Sequence, residues 1–338
     1  YVAYPTISSN PVIELASDLA QEAEDLGFSV HMLESTPSKV NVLATIGPQE
    51  HSLVLSGHMD VVPTEGQDWT GDPFKLRQLD DRLVGRGSCD MKGFIASTMT
   101  VLQSMRMETL KRGLALVWTH DEEVGCLGSQ QFVSKLPELG YSLPKSILIG
   151  EPTGMTYARK HGGHTSLKVE IIGKAAHSSK PRLGCSAIKF AVSFVALLND
   201  LEQTWCDHPI NVEGTTCFPL LNVAQITGGE AINIIPNHCT VKIGLRAMPT
   251  QNSLNLIEAV KDRLDNLTNH PEWIDIDAHI KVIQDAPPLH TCSGSRLEEH
   301  LIEQGCMEGG TLPFATDGGW FSRTGAHPII CGPGQIDV

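Results

Sequence analysis

Short apolar runs alternate with amphipathic stretches in the first part of the chain. Runs of strand length lie at 42–46, 53–56, 114–118 and 147–149. Between the second and third of these, apolar residues over 92–107 recur with a helical period. Continuous apolar strands that alternate with helices are typical of a mostly parallel sheet covered by helices on both faces. We therefore predict an α/β unit in this part of the chain.

A further helix is predicted near the start of the chain. Asn10 and Pro11 have the residue types of an N-cap and a first-turn proline. Leu15 and Leu19 lie on one face of the helical period that follows, and Gly27 is a suitable terminator. The pattern predicts that this helix packs on the sheet through its apolar face.

The pattern changes after His164. Residues 166–172 alternate as a one-sided strand would, and 187–201 form an amphipathic helix. Strands at 220–226 and 239–245, a helix at 253–267 and a strand at 274–282 complete a β-α-β-β-α-β order, which is typical of a ferredoxin-like α+β unit. The α/β pattern returns later, with a helix at 296–304 and a strand at 328–331. We predict a discontinuous α/β domain, 1–163 and 283–338, interrupted by an α+β domain, 164–282.

Composition narrows the classes of function. The 338 residues are 41% hydrophobic, but the longest apolar stretch, 187–198, is broken by Lys189 and Ser193 and is too short to span a membrane. A net charge of −14 disfavours binding to nucleic acid and to anionic membranes. The nine cysteines include no CxxC pair, so a disulfide framework is not indicated and a cytoplasmic protein is expected.

Acidic and imidazole side chains follow the predicted strands repeatedly. His58 and Asp60 come after the strand at 53–56, and Glu151 comes after the strand at 147–149. Asp90 lies in a glycine-rich loop just before the helix at 92–107. Because ligands of parallel sheets bind at the carboxyl ends of strands, we expect these side chains to meet at one edge.

The heptapeptide 119–125, THDEEVG, adds two adjacent glutamates after the strand at 114–118. Such a cluster alone would ordinarily be a solvated corner. Together with the other strand ends it favours a metal site, in which one glutamate ligates and its neighbour stays free as a base. Oxygen-rich sites with one imidazole suit Zn²⁺, Co²⁺ or Mn²⁺ better than Ca²⁺, and a shared carboxylate can bridge two ions.

Five motifs in order carry a resemblance to a known family: GHMDVVP at 57–63, GRGSCDMKG at 85–93, HDEEVG at 120–125, GEPT at 150–153 and GKAAHSSKP at 173–181. Over nearly the whole chain they resemble the M20 family of co-catalytic zinc amidohydrolases and peptidases. The resemblance implies a zinc-binding α/β domain with an inserted lid or dimerisation domain, and hence a homodimer.

The resemblance also implies roles for the strand-end residues. His58 and Glu151 would ligate one zinc ion, Glu123 would ligate the other, and Asp90 would bridge both. Asp60 would orient the His58 imidazole and raise its basicity.

Further residues of the reaction are implied in the same way. Glu122 would be the general base, and His177 of the partner subunit would stabilise the oxyanion. Arg246 would bind the substrate carboxylate, with a salt bridge at a strand edge as its alternative. Asn233 would contact the substrate, with a turn as its alternative.

Glycine-rich loops near the end of the chain remain open in role. Thr316 and Gly318 are candidate substrate-pocket residues, while Cys89 is expected to be structural.

The family also places a histidine ligand after a Gly-Pro-Gly turn. The printed sequence has this turn at 332–334 but no histidine after it, and His327 lies upstream. Either further residues supply that ligand, or one of the two metal sites is weak.

The activity implied is hydrolysis of the amide of an N-acylated amino acid, a small-molecule substrate. Within the family the resemblance is strongest to enzymes that deacetylate N2-acetyl-L-ornithine in arginine biosynthesis. N-acetylcitrulline, N-succinyl-diaminopimelate and dipeptides stay open as substrates, because the metal ligands do not separate them. A metal-stabilised binding protein without catalysis is a further alternative. A metallophosphatase is disfavoured because the acidic surroundings suit phosphate poorly and no P-loop is present.

Overall fold

A computed structural model describes residues 1–48 and 52–336. The chain forms two compact units, and residues 337 and 338, which the predicted α/β domain includes, lie outside the described residues. Residues Tyr1–His161 and Leu289–Val338 make up one, called here the discontinuous unit. Residues Gly162–Pro288 make up the other, called the inserted unit.

The strands are β1 (Ser29–Thr36), β2 (Lys39–Ile46), β3 (Leu53–His58), β4 (Arg77–Leu79), β5 (Arg82–Val84), β6 (Leu114–Thr119), β7 (Ser146–Ile149), β8 (Lys160–His161), β9 (His164–Ile172), β10 (Ala176–His177), β11 (Ile210–Val212), β12 (Thr215–Cys217), β13 (Leu220–Gly228), β14 (Ile234–Ile235), β15 (His238–Arg246), β16 (Asp277–Ala286), β17 (Leu289–His290), β18 (Thr311–Leu312) and β19 (His327–Ile330). The α-helices are α1 (Ile13–Asp25), α2 (Lys92–Ser104), α3 (Leu127–Lys135), α4 (Ala187–Asp207), α5 (Ser253–Thr268), α6 (Arg296–Glu303) and α7 (Gly318–Ser322).

The discontinuous unit is built on a six-stranded sheet in the order β1-β2-β6-β3-β7-β19. The four strands β6, β3, β7 and β19 are parallel to one another, and β2 is antiparallel to both of its neighbours, β1 and β6. The parallel strands β3, β6 and β7 therefore end at the same edge. This confirms the predicted mostly parallel sheet and brings together the residues that follow each strand.

Helices cover both faces of this sheet. On one face, apolar side chains of α1 and α2, such as Leu19 and Met99, form a core with side chains of the sheet, such as Trp118 of β6. On the other face, Phe132 of α3 and Phe321 of α7 pack edge to face, with ring centroids 6.1 Å apart, in a core that includes Val117. A sheet buried on both faces explains why its strands are continuous apolar runs in the sequence.

The inserted unit has a four-stranded antiparallel sheet in the order β13-β15-β9-β16. Along β9 the side chains of Leu167, Val169 and Ile171 are buried, and those between them are more exposed. The buried side chains form one core with residues of α4 and α5, such as Phe194 and Val260. The predicted ferredoxin-like α+β order is therefore confirmed.

Several predicted boundaries were wrong. The first helix begins at Ile13, and Val12 is its N-cap without a side-chain hydrogen bond. Asn10 does not cap it, because its side-chain amide donates to the backbone oxygen of Pro5 instead. Strand β1 was not predicted at all, since most of its side chains are exposed and no apolar run marks it. Strand β3 extends through His58, beyond its predicted end, because Gly57 and His58 still pair with β6.

Within the described part of the chain, no helix combines the length and the apolar character that crossing a membrane requires.

Candidate metal centre

Three strand ends place the predicted side chains side by side. His58 is the last residue of β3 and pairs with Thr119, the last residue of β6. Glu151 comes two residues after the end of β7, behind Gly150. A Cβ atom on Gly150 would lie 1.9 Å from the Phe94 ring of α2, so only glycine lets the strand end pass this close to the helix.

The glycine-rich loop before α2 brings a fourth group. Asp90 Oδ1 lies 2.8 Å from Nε2 of His58, and Glu151 Oε1 lies 3.8 Å from the same nitrogen. The loop continues into α2 with Lys92, whose ammonium is buried and donates to the backbone oxygen of Tyr4 at 2.7 Å. Burial lowers the pKa of Lys92 to about 8. Asp90, by contrast, is partly exposed at the edge of the site.

Among residues 1–48 and 52–336, potential metal ligands form three groups, in each of which the ligand atoms lie within 4.8 Å of one another. The first contains His58, Asp90 and Glu123, and the second contains His58, Glu122 and Glu151. These two share His58, so all four predicted metal ligands meet around one imidazole, and Glu122 lies with them. The third group contains Glu122, Cys126 and Asp317.

The three consecutive acids of the heptapeptide have different surroundings. Asp121 pairs with Lys39, with Nζ and Oδ1 2.5 Å apart, and lies near the ring of His120. Glu122 and Glu123 belong to different ligand groups. The backbone turns sharply here, with a positive φ of 51° at Asp121. The turn separates three side chains that would repel one another if they lay together.

Asp60 connects the heptapeptide to β3. Its carboxylate is fully buried and accepts from the backbone N–H of Glu122 at 3.0 Å and of Glu123 at 3.3 Å. Ser8 Oγ donates to the same carboxylate at 2.7 Å. The His58 ring nitrogen Nδ1 lies 2.9 Å from the backbone oxygen of Asp60 and 3.5 Å from its Oδ1. Asp60 thus fixes both the imidazole and the backbone that carries the two glutamates.

The electrostatics of His58 and Asp60 follow from this contact. Burial alone would lower the pKa of His58, but hydrogen bonds to Asp60 and Asp90 outweigh it and raise that pKa well above 6.5. Burial alone would raise the pKa of Asp60, but the bond to His58 holds it below its ordinary value. The pair therefore favours an ionised carboxylate beside the imidazole.

The glutamates are shifted in the opposite direction. Burial, with the negative charge of Glu151, raises the pKa of Glu122 well above its usual range. Burial and the charge of Asp90 do the same for Glu151. Burial raises the pKa of Glu123 to about 7, although His58 and Arg86 act against the rise.

Closely packed carboxylates of this kind fit a cation. Without a compensating positive charge, each one makes ionisation of the next more costly. A divalent cation among them would offset that repulsion, and the oxygen-rich donor set with a single imidazole suits Zn²⁺, Co²⁺ or Mn²⁺. The residues present therefore fit a divalent metal ion.

Asp317 was missed by the sequence-based reasoning. It is 2% exposed, and its Oδ2 accepts from Oγ1 of Thr119 at 2.6 Å. Burial raises its pKa. The motif TDGG at 316–319 could have indicated Asp317. An acidic residue in a glycine-rich loop before a short helix is a stronger ligand candidate than its neighbours.

Those neighbours, Thr316 and Gly318, lie in the interior. Oγ1 of Thr316 lies 3.1 Å from Nε2 of His161 and accepts from the backbone N–H of Gly318 at 3.1 Å. A Cβ atom on Gly318 would lie 3.0 Å from Ile149. These contacts give both residues a packing role, and their contact with substrate stays a prediction.

The remaining predicted site residues lie in the inserted unit. His177 is exposed in β10, which pairs with β14, and the backbone N–H of Ser178 donates to the backbone oxygen of Asn233 at 2.9 Å. The structure thus brings His177 and Asn233 together. The backbone N–H of Ser179 donates to Nδ1 of His177, so a neutral imidazole carries its proton on Nε2. Arg246 ends β15 of the four-stranded sheet, whereas β10 and β14 form a separate two-stranded sheet.

The Gly-Pro-Gly turn lies beside the centre. The backbone oxygen of Gly334 accepts from Gly154 at 2.6 Å, three residues after Glu151. Sγ of Cys89 donates to the backbone oxygen of Gln335 at 3.2 Å. Cys89 is therefore held against this turn, consistent with a structural thiol, and residues 335 and 336 line a cavity with Asp90 and Glu123.

Comparison with known sequences adds a family match. Residues 54–337 match the model described as peptidase family M20/M25/M40. The chain is 34% identical to an acetylornithine deacetylase of Shigella sonnei, over 99% of this chain and 88% of the relative. It is 32% identical to one of Myxococcus xanthus, over 100% of this chain and 88% of the relative.

Solved structures share the fold at lower identity. An M20 family metallo-carboxypeptidase, Sso-CP2 from Sulfolobus solfataricus, superposes with a TM-score of 0.71 at 18% identity, over 98% of this chain and 89% of that one. The aminopeptidase PepT from Bacillus cereus gives 0.70 at 18% identity, over 98% and 87%. At such identities the likeness concerns the fold alone.

Proposed function

Because the chain belongs to peptidase family M20/M25/M40, as its five motifs indicated, we propose that it is a metal-dependent amidohydrolase that removes the acyl group of an N-acyl amino acid. The observation that carries the proposal is the convergence of His58, Asp90, Glu123 and Glu151 with Glu122 beside them. A merely structural metal site has no need for an additional buried carboxylate next to its ligands.

The proposed ligand assignment is the one that the family resemblance implies, and the first two groups support it by bringing these residues together. His58 and Glu151 would hold one divalent ion, Glu123 would hold a second, and Asp90, 2.8 Å from the His58 ring, would lie between them. When bound, the ions would polarise the amide carbonyl and acidify the attacking water. Zn²⁺ is the proposed resident metal, with Co²⁺ and Mn²⁺ as substitutes.

Glu122 is proposed to move the proton. It would take a proton from the attacking water as the C–O bond forms, and would give it to the amide nitrogen as the C–N bond breaks. Its burial and the nearby charge of Glu151 raise its pKa, which suits a group that must both accept and release a proton. The products are a carboxylate and a free amine.

His177 is proposed to stabilise the oxyanion through its Nε2–H, supplied by a second copy of the chain. The support is its exposed position and the backbone N–H of Ser179 at Nδ1, which leaves the neutral ring's proton on Nε2. Asn233, which directly precedes β14 and accepts from the backbone N–H of Ser178, is proposed to contact the substrate. Arg246 is proposed to bind a substrate carboxylate. The inserted unit would then act as a lid and as the dimerisation domain.

N2-acetyl-L-ornithine is the proposed substrate, which would give L-ornithine and acetate and place the enzyme in arginine biosynthesis. The support is the set of relatives named acetylornithine deacetylase at about 30% identity over nearly the whole chain. The test compares kcat/KM for N2-acetyl-L-ornithine, N2-acetyl-L-citrulline, N-succinyl-diaminopimelate and a dipeptide. A preference of more than about tenfold for any of the others would replace the proposed substrate.

A further inference from the structure

Three arginines line a cavity next to the candidate metal centre. The cavity, about 710 Å³ in volume, belongs to the discontinuous unit. Its wall includes the side chains of Arg77, Arg82 and Arg86, and it also includes Asp90 and Glu123. The volume is in the range of small-molecule sites. A compound bound to these arginines would therefore lie against the residues of the proposed reaction.

Arg86 is fixed in place by its neighbours. Its guanidinium lies over the ring of Trp69, 5.1 Å from the centroid, and donates from Nη2 to the backbone oxygen of Pro63 at 3.2 Å and to the Gln67 side chain. Gln67 also accepts from Nε1 of Trp69 at 3.2 Å. A cation held this way needs little further ordering when it binds a ligand.

In the described part of the chain these arginines lack direct ion pairs, although the charge of Arg86 acts to lower the pKa of nearby Glu123. Among residues 1–48 and 52–336, no carboxylate forms an ion pair with Arg77, Arg82 or Arg86. Nε and Nη2 of Arg77 and Nε of Arg86 are also buried without a hydrogen-bond partner in that part of the chain. Buried guanidinium nitrogens in such a state ordinarily have a further partner, protein, water or ligand.

Another arginine of the same unit shows the contrast. Arg159 is 4% exposed and pairs with two carboxylates, Glu298 at 3.0 Å and Glu308 at 2.8 Å. The chain has 39 acidic and 25 basic residues, so carboxylates are abundant. Arginines that form no direct ion pair with a carboxylate, beside the candidate metal centre, therefore point to an anion that comes from outside the protein.

We propose that Arg77 and Arg86 bind a carboxylate of the substrate in this cavity. The inference rests on the proposed function only in taking the ligand to be an N-acyl amino acid. Planar guanidinium groups match a carboxylate geometrically and electrostatically. The same cations repel an ammonium group, so the side-chain ammonium of an ornithine derivative would lie outside this cavity. The carboxylate is either the α-carboxylate, which these arginines would then bind in place of Arg246, or one carried by the acyl chain.

Calorimetric titration of the zinc-loaded full-length chain tests this, with Glu122→Ala as the background so that bound compounds are not turned over. The ligands are N2-acetyl-L-ornithine, its α-carboxamide and N2-succinyl-L-ornithine. An α-carboxylate site predicts that the first compound binds more tightly than the second. An acyl-carboxylate site predicts that the third binds more tightly than the first.

Adding Arg86→Gln or Arg77→Gln should weaken binding of the preferred carboxylate compound by about tenfold or more, and should reduce its preference over the compound that lacks this carboxylate. Arg323→Gln is the matched control, because Arg323 is also stacked on a tryptophan, 4.4 Å from the Trp320 ring, but does not line this cavity. Arg86→Lys, which keeps the charge and loses the planar fork, should be intermediate. Zinc content and melting temperature are measured for every variant.

The inference would be overturned if the preference for the carboxylate compound over the compound that lacks this carboxylate were the same with and without Arg86→Gln and Arg77→Gln. It would also be overturned if the Glu122→Ala protein bound none of the three compounds. If a glutamine variant does not fold, the lysine variant at the same position, Arg77→Lys or Arg86→Lys, is used for the same comparison. A different outcome would refute the proposed function but keep the cavity assignment. In that outcome the arginine variants lose the preference for the carboxylate compound, and the unsubstituted protein does not hydrolyse the acetyl compounds.

Discussion

Nε2 of His58 lies 2.8 Å from Oδ1 of Asp90, although the two residues are 32 positions apart and belong to a strand end and a glycine-rich loop. His58 is the last residue of β3, and Asp90 lies in the loop that leads into α2. The contact places a carboxylate where it can share a cation with the imidazole.

Glu122→Ala should abolish hydrolysis while leaving metal content unchanged. Removing a general base costs roughly 10²- to 10⁴-fold in kcat. Steady-state kinetics and elemental analysis of the same preparation measure the two effects. Glu138→Ala, at an exposed position of the same unit, is the control and should behave like the unsubstituted protein. A variant that loses metal stoichiometrically would show that Glu122 is a ligand and that the base is another residue.

His58→Ala should remove metal binding, since the imidazole belongs to both ligand groups around it. Free zinc a thousandfold above Kd stabilises a folded protein by about 4 kcal/mol, so chelation should lower the melting temperature of the unsubstituted protein and scarcely change that of the variant. His300→Ala, whose side chain is 65% exposed, serves as the control. Equal metal content in His58→Ala and the unsubstituted protein would contradict the proposed centre.

Metal-free protein should lose stability as pH rises. The pKa of Glu123 in the folded protein is about 7 against an ordinary value of 4.5, so between these values the unfolded chain releases the proton first. The folded state then binds more protons, and the free energy of unfolding falls with increasing pH. The raised pKa of His58 acts in the same direction.

Denaturant unfolding at several pH values between 4.5 and 8, with and without zinc, measures this effect. Zinc-loaded protein should show a shallower fall or a rise, because metal binding favours the ionised carboxylates. Parallel curves for the two forms would mean that the carboxylates are not relieved by the metal.

Asp60→Asn should weaken metal binding without removing a proposed ligand. The substitution changes a carboxylate that accepts from the backbone of both glutamates and lies next to the His58 ring. Loss of such an outer partner typically costs about 10- to 100-fold in metal affinity or activity. Competition with a chelating dye measures the affinity, and Asp81→Asn, at an exposed turn, is the control. An unchanged affinity and kcat would assign Asp60 a structural role only.

Activity should require two copies of the chain if His177 acts on the partner's substrate. Mixing His177→Ala with Glu122→Ala should produce hybrids in which one site has both residues, and up to about a quarter of the activity should return in a random mixture of dimers. Kinetics of the mixed and separate variants measure it. His279→Ala, an exposed histidine of the inserted unit, should be active alone. No return of activity in verified hybrids would indicate that His177 acts within its own chain.

The sequence alone determined the mostly parallel α/β sheet, the separate antiparallel α+β sheet and which acidic residues follow the strands. Continuous apolar runs predicted strands of a buried sheet, and alternation predicted the one-sided strand β9, because side-chain periodicity reports directly which faces are buried. The strand-end positions of His58 and Glu151 then required that they meet, since parallel strands end at the same edge.

Only the tertiary structure decided which other groups join them. Asp317 reaches Thr119 from 198 positions away, and strand β1 forms with almost no apolar signal. The lack of direct ion pairs at Arg77 and Arg86, within the residues described, likewise depends on where each carboxylate lies in space. Local patterns record how each segment is buried, but not which distant polar side chains become neighbours, because those contacts arise only when the whole chain has packed.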